Sequence, residues 1–125
     1  MPNGRVEEIF EGAISLYNEA IEELERGEIR DAAEKAWGAM VGATKALILA
    51  RNGVELEGSM QLSKEFINLM KVDEEVMEKL RDRYFARESS LHGHCFYDGL
   101  CDPKVEREIK ETNFYIEDVR KLAFR

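Results

Sequence analysis

The stretch that decides the fold is residues 29–52, IRDAAEKAWGAMVGATKALILARN, in which apolar side chains recur every three or four positions. That spacing places them on one face of an α-helix. Asn52-Gly53 is a typical helix end, because glycine readily adopts the left-handed conformation that stops a helix. We therefore predict a long second helix whose inward face lies in the core. That face consists of Ala33, Ala36, Trp37, Met40, Ala43, Thr44 and Leu47.

A second set of small residues in this helix, Gly38, Ala39, Gly42 and Ala46, also recurs at helical spacing. A glycine inside a helix costs about 1 kcal/mol relative to alanine. Two glycines four residues apart therefore predict that a neighbouring helix packs very close. The neighbour can belong to the same chain or to a second subunit.

Four further helices follow from the same periodicity, over about residues 6–26, 60–70, 73–91 and 103–123. Ser59 is the predicted cap of the third helix and Asp73 of the fourth, because both side chains can accept a hydrogen bond from a free backbone amide. Asp102-Pro103 opens the fifth helix. In the fourth helix we expect Val76, Met77, Leu80, Tyr84 and Leu91 to point inward. Gly93 and Tyr97-Asp98-Gly99 predict a loop before the last helix.

The predicted fold class is an all-α, antiparallel, up-and-down bundle of about five helices, because short connections make sequential helices antiparallel. No segment alternates as a strand does. The length of 125 residues fits one domain over residues 1–125. No apolar run approaches the roughly 20 residues that span a bilayer. The first residues carry no signal-peptide pattern. We therefore expect a cytoplasmic protein that does not interact with membranes.

The charge is unevenly distributed along the chain. The 26 acidic and 18 basic side chains give a net charge of −8. Residues 1–36 carry −6, residues 37–78 carry −3 and residues 79–125 carry +1. Lys79, Arg81, Arg83 and Arg87 lie within nine residues of each other in the last part. This distribution excludes a surface coated by nucleic acid, but it allows a narrow cleft that holds one or two phosphates.

Arg87 lies beside the apolar seam of the fourth helix, three residues after Tyr84 and four before Leu91. An unpaired buried guanidinium is very costly. Arg87 therefore needs a carboxylate partner, a cleft or a second subunit.

The two histidines of the chain, His92 and His94, follow Arg87 closely. On an unbroken helix His94 lies above Arg87, whereas His92 reaches it if the helix ends or bends near Gly93. Histidine exchanges protons near neutral pH, and arginine binds phosphate oxygens through its planar fork. Those are the groups that cleave RNA through its own 2′-hydroxyl, without a metal ion. Spacing alone does not choose between the two histidines.

The stretch Arg87-Glu-Ser-Ser-Leu-His92-Gly-His94-Cys95-Phe-Tyr97-Asp98-Gly99, followed by a helix at Asp102-Pro103, resembles the Arg-x4-His motif region of the HEPN domain (higher eukaryotes and prokaryotes nucleotide-binding). The segment Ala32-Ala-Glu34-Lys-Ala-Trp37-Gly-Ala39 is similar to the small archaeal, PaREP-type branch of that superfamily. In helix order the resemblance covers nearly the whole chain.

The resemblance implies a homodimer with an RNA-cleaving or RNA-binding cleft along the subunit interface. It implies Arg87 and His92 as the catalytic pair of a metal-independent endoribonuclease, with His94 as an auxiliary residue. Such proteins often act in toxin–antitoxin systems beside a small nucleotidyltransferase partner. Within this hypothesis Arg83 belongs to the basic group that contacts RNA, and Tyr97 stacks on a base. No cofactor and no metal are expected.

Several alternatives remain open for the same residues. Glu88 follows Arg87 where a small polar residue is common in the superfamily, and its carboxylate would compete with phosphate. The alternative function is therefore a non-catalytic HEPN-like module that binds a partner protein, a nucleotide or RNA. Tyr97 can instead anchor its loop. Cys95 and Cys101 are expected to be free thiols, with a disulfide, a zinc site shared with the histidines, or a Cys–His nucleophile as alternatives.

Overall fold

The computed structural model describes residues 2–125, with side chains from residue 4 onward. It contains five α-helices and a π-helical segment that follows the fourth helix without a break, and no β-strand occurs within the described residues. The predicted all-α bundle is confirmed. The elements are α1 (Pro2–Glu25), α2 (Ile29–Asn52), α3 (Ser59–Val72), α4 (Glu74–Arg87), the π segment (Glu88–Tyr97) and α5 (Val105–Ala123).

The close helix pair predicted from Gly38 and Gly42 is α1 against α2 of the same chain. A Cβ atom on Gly38 would lie 2.8 Å from Cδ2 of Leu16, and one on Gly42 would lie 3.5 Å from Cβ of Ala13. The two helices run antiparallel, because the later residue of α2 contacts the earlier residue of α1. The small side chains therefore let α1 pack directly on the α2 backbone.

The α3 helix runs in the same direction as α2, so the predicted antiparallel order of sequential helices is wrong for this pair. Its first residue, Ser59, shares a cavity with Trp37 near the start of α2, and Asp73 beyond its end pairs with Arg51 near the end of α2. Residues 53–58 are not helical and carry the chain back along the bundle. This return places the start of α3 beside the π segment.

The helix ends differ from the prediction at three places. Gly58, not Ser59, precedes the first residue of α3, and it offers no side-chain cap. Asp102 accepts a hydrogen bond from the Lys104 amide at 2.7 Å, but α5 begins only at Val105. Asp73 caps α4 as predicted, since its Oδ1 accepts hydrogen bonds from the amides of Glu75 and Val76. Finally, α1 begins at Pro2 rather than near Val6.

The predicted break at Gly93 is wrong, because the helix continues to Tyr97 in π-helical form. The amide of Asp98 bonds to the carbonyl of Gly93, five residues earlier. Leu91 and Cys95, on either side of Gly93, are both fully buried. Burying a leucine side chain gains about 1.5–3 kcal/mol, which exceeds the cost of one helical glycine.

The core contains most of the predicted inward residues. Trp37, Leu80, Tyr84 and Leu91 are buried as expected, whereas Met77 is 43% exposed and lies at the surface between α3 and α4. The hydroxyls of Thr44 and Tyr115 meet at 2.7 Å in the core and so satisfy each other. Across residues 2–125, every helix is too short or too polar to traverse a bilayer.

Candidate functional site

The candidate site lies on the π segment and the last turn of α4, where side chains point in two directions. Tyr84, Glu88 and His92, spaced by four residues, all line one cavity beside α2 and α3. Arg83 and Arg87, also four residues apart, pair with carboxylates of α5. The predicted pair Arg87 and His92 therefore faces two different helices.

His92 is held by a carboxylate from α2. Its Nδ1 atom lies 2.7 Å from Oε1 of Glu34. An ionised carboxylate can only accept a hydrogen bond, so Nδ1 of His92 is the donor to an ionised Glu34. Tyr97 packs its ring edge-on against the imidazole, with centroids 4.8 Å apart. These two contacts fix the orientation of the histidine.

Arg87 is neutralised by two glutamates of α5. Its Nε lies 3.2 Å from Oε2 of Glu108, and its Nη2 lies 3.9 Å from Oε1 of Glu111. The side chains of Arg87 and Glu108 are only 15% and 19% exposed. The sequence required a partner, a cleft or a second subunit for this arginine, and the structure supplies a partner within the chain.

The remaining predicted site residues are spread over three surroundings. Arg83 pairs with Asp118 at 2.7 Å, and its guanidinium lies over the ring of Tyr115. His94 is exposed and lies 3.9 Å from Asp98. Tyr97 is exposed and contacts His92, so His92 and Tyr97 are the two predicted residues that the structure brings together.

A cavity of about 420 Å³ opens beside His92. Its buried walls are Trp37 and Tyr84, whose ring centroids lie 4.9 Å apart. Burial, together with the nearby Glu88 carboxylate, raises the pKa of Tyr84, so its hydroxyl stays neutral. The remaining lining residues come from α2, α3 and the π segment: Glu34, Gly38, Val41, Ser59, Leu62, Ser63, Glu88 and His92.

Cys95 and Cys101 form a disulfide bond, so the expectation of free thiols is wrong. The bond joins the buried π segment to the loop before α5. It also removes both sulfur ligands from the zinc alternative and the thiol from the Cys–His alternative. The spacing of six residues is compatible with either state, which is why the sequence could not choose.

Two residues that position the site were not identified from the sequence. Glu34 holds His92, and Arg30 donates hydrogen bonds to the carbonyls of Phe96 and Tyr97 at the end of the π segment. Glu34 precedes Trp37 by three residues, so the two share a helix face. That position was the available signal, but nothing in the sequence showed that the π segment lies against this face.

The local charge around the predicted pair is negative. Glu34, Glu88, Glu108 and Glu111 surround Arg87 and His92, and Glu88 forms no ion pair within residues 4–125. Four carboxylates against one permanent cation oppose the approach of a phosphate.

Among known protein families, the model described as "Archaeal PaREP1/PaREP8 family" matches residues 8–120. No curated protein and no solved structure matches the chain.

Proposed function

Because the chain belongs to the archaeal PaREP1/PaREP8 family, and because its Arg87 is already paired, we propose that it is a non-catalytic HEPN-like module that binds its ligand in the cavity beside His92. The observation that carries this proposal is the Arg87–Glu108 pair. In the hypothesis that Arg87 and His92 cleave RNA, the guanidinium of Arg87 binds the phosphate oxygens, and here two carboxylates of α5 occupy it. The negative surroundings add to this obstacle.

The cavity supports a binding function because it combines apolar walls with a few polar groups, as ligand sites generally do. Trp37 and Tyr84 supply the walls, and Glu34, Glu88 and His92 supply the polar groups. Its residues come from four elements that the fold brings together, namely α2, α3, α4 and the π segment. A ligand there would contact the HEPN-like histidine without reaching the arginine.

A metal-independent endoribonuclease is the second candidate, favoured by the hydrogen bond between His92 and Glu34. A histidine oriented by a carboxylate is the arrangement used for general base catalysis. In this reaction Nε2 of His92 takes the proton of the ribose 2′-hydroxyl and the 2′-oxygen attacks phosphorus. The P–O5′ bond breaks, the 5′-oxygen leaves as a hydroxyl that takes a proton from solvent, and a 2′,3′-cyclic phosphate remains. The resemblance to HEPN domains adds a homodimer that contributes the Arg87 and His92 pair twice, and in each copy Arg87 would have to leave Glu108 to bind phosphate.

The two candidates are separated by one assay. Labelled single-stranded RNA is incubated in EDTA with the wild type, Arg87→Ala and His92→Ala, and products are resolved by electrophoresis. We expect no cleavage by any of the three proteins. Cleavage by the wild type that is lost in both variants would overturn the proposal and establish the nuclease. The matched control is Arg81→Ala, which removes an exposed arginine outside the site.

A further inference from the structure

We propose that the cavity beside His92 recognises an organic cation, namely a guanidinium or alkylammonium group. This inference rests on the proposed binding function and names the chemistry of its ligand. The same chemistry is offered by an arginine or lysine side chain of a partner protein and by a free small cation. Titration with an arginine peptide and with methylguanidine distinguishes these two sources.

The Glu88 carboxylate favours a cationic ligand in the cavity. Glu88 lines the cavity and is partly buried, yet no basic group within residues 4–125 lies within ion-pairing distance of it. Its neighbour Arg87 points to α5 instead. A partly buried carboxylate without a partner is unfavourable, and a cationic ligand would relieve it.

The aromatic wall of the cavity also favours a cationic ligand. Trp37 and Tyr84 are 7% and 2% exposed, and the His92 ring lies 6.1 Å from Trp37. The faces of tryptophan rings attract cations, and Trp37 lines the cavity. The Tyr84 ring is instead packed against Trp37 and Phe66. The Tyr84 side chain is almost fully buried, and its hydroxyl makes no hydrogen bond among residues 4–125. The oxygen remains accessible at the cavity, where it can bond to water or to a ligand.

The cavity also contains hydrogen-bond acceptors that can bind a guanidinium. Glu34 uses Oε1 for His92, which leaves its Oε2 available. Ser59 and Ser63 add hydroxyls from α3 on the opposite side. A guanidinium carries five N–H donors and no acceptor, so it matches a cavity rich in acceptors.

The negative net charge of the chain also favours a cationic ligand. The chain carries a net charge of −8, and residues 1–36, which include Glu34, contribute −6. Such a field raises the local concentration of cations and repels phosphates. Phosphate-bearing ligands are therefore the wrong class for this cavity.

The test uses the only tryptophan of the chain, Trp37, as a fluorescent reporter inside the cavity. The full-length protein is titrated with acetyl-Gly-Arg-Gly-amide, with the same peptide containing citrulline, and with methylguanidine. Citrulline is the neutral isostere of arginine, so it isolates the contribution of charge. We expect saturable quenching by the arginine peptide and at least about tenfold weaker binding of the citrulline peptide.

The matched variants are Glu88→Gln and Glu25→Gln. Both remove one negative charge, but Glu25 lies at a different surface depression. We expect Glu88→Gln to weaken binding by about three- to tenfold and Glu25→Gln to leave it within about twofold. Circular dichroism verifies that each variant is folded, and calorimetric titration confirms each affinity independently of fluorescence.

Three results would contradict the proposed cation binding, and two further results would identify the source of the cation. Equal binding of the arginine and citrulline peptides, equal effects of the two glutamine variants, or no binding of any cation would overturn the inference. Tighter binding of the peptide than of methylguanidine identifies a partner protein as the source, and equal binding identifies a free small cation. These outcomes are independent of the RNA assay, because loss of cation binding without RNA cleavage rejects the ligand class alone.

Discussion

Arg87 and His92 face different helices, although only four residues separate them. The guanidinium of Arg87 lies against Glu108 of α5, and the imidazole of His92 lies against Glu34 of α2. Each member of the predicted pair thus has a carboxylate partner within its own chain. The arrangement joins the end of α4 and the π segment to both neighbouring helices, so it contributes to stability whatever the cavity binds.

Replacing Glu108 with glutamine is expected to destabilise the protein, because it leaves the charge of Arg87 largely buried beside a neutral side chain. Loss of one partner costs about 3–5 kcal/mol for a buried pair and less than about 1 kcal/mol for an exposed one. Since both side chains are slightly exposed, we expect a decrease of about 1–3 kcal/mol in the free energy of unfolding. Urea denaturation measures it.

The control for this prediction is Asp82→Asn, which removes the partner of the exposed Arg81. We expect it to change the free energy of unfolding by less than about 0.5 kcal/mol. If Glu108→Gln has an effect as small as Asp82→Asn, the Arg87–Glu108 pair does not form in solution. Arg87→Met, alone and combined with Glu108→Gln, completes the double-mutant cycle that gives the coupling energy of the pair.

Helix existence and much of the core were predictable from the sequence, because apolar periodicity is a local property. Trp37 and Leu91 lie in the core as their spacing requires, and Gly38 marks the close contact with α1. The partners of the site residues were not predictable. Glu34 and His92 are 58 positions apart, and their contact depends on how α2 packs against the π segment. The break predicted at Gly93 does not occur, because burial of Leu91 and Cys95 on either side outweighs the tendency of glycine to end a helix.

Replacing Gly42 with alanine is expected to stabilise the protein. The added Cβ would lie 3.5 Å from Cβ of Ala13, which is an ordinary contact. Alanine is more favourable than glycine inside a helix by about 0.5–1 kcal/mol, so the free energy of unfolding should rise by that amount. Thermal denaturation followed by circular dichroism measures the gain.

Gly38→Ala is the matched comparison. Its Cβ would lie 2.8 Å from Cδ2 of Leu16, so that side chain must move and part of the gain is lost. We expect a smaller increase than for Gly42→Ala, or none. A larger increase for Gly38→Ala would show that Leu16 of α1 lies farther from Gly38 than the 2.8 Å separation indicates.

Stability is expected to fall at acidic pH partly through Asp73. The hydrogen bond from Arg51 holds the pKa of the Asp73 carboxyl below its ordinary value, with help from the Val76 amide and the charge of Arg125. A pKa that is lower in the folded state adds stability that is present above the ordinary value, about 3.9. It is lost as the pH falls through the folded-state pKa.

Asp73→Asn tests this contribution, because asparagine preserves the helix cap and removes the charge. Between about pH 5 and pH 2, the stability of the variant should depend less steeply on pH than that of the wild type. Asp73→Ala removes the cap as well and should cost about 1 kcal/mol more at neutral pH. Identical pH dependence of the wild type and Asp73→Asn would exclude the pairing with Arg51.

Reduction of the Cys95–Cys101 disulfide is expected to lower the free energy of unfolding by about 2 kcal/mol, because the bond closes a short loop in the unfolded chain. Cys101→Ala should have a similar stability with and without a phosphine reductant, and it should equal the reduced wild type within about 1 kcal/mol. Cys101 is the better position to change because Cys95 is fully buried. Thiol titration of the purified, unreduced protein provides the independent measurement. Two reactive thiols after denaturation without reductant would show that the bond is absent, and the predicted loss of stability on reduction would then not occur.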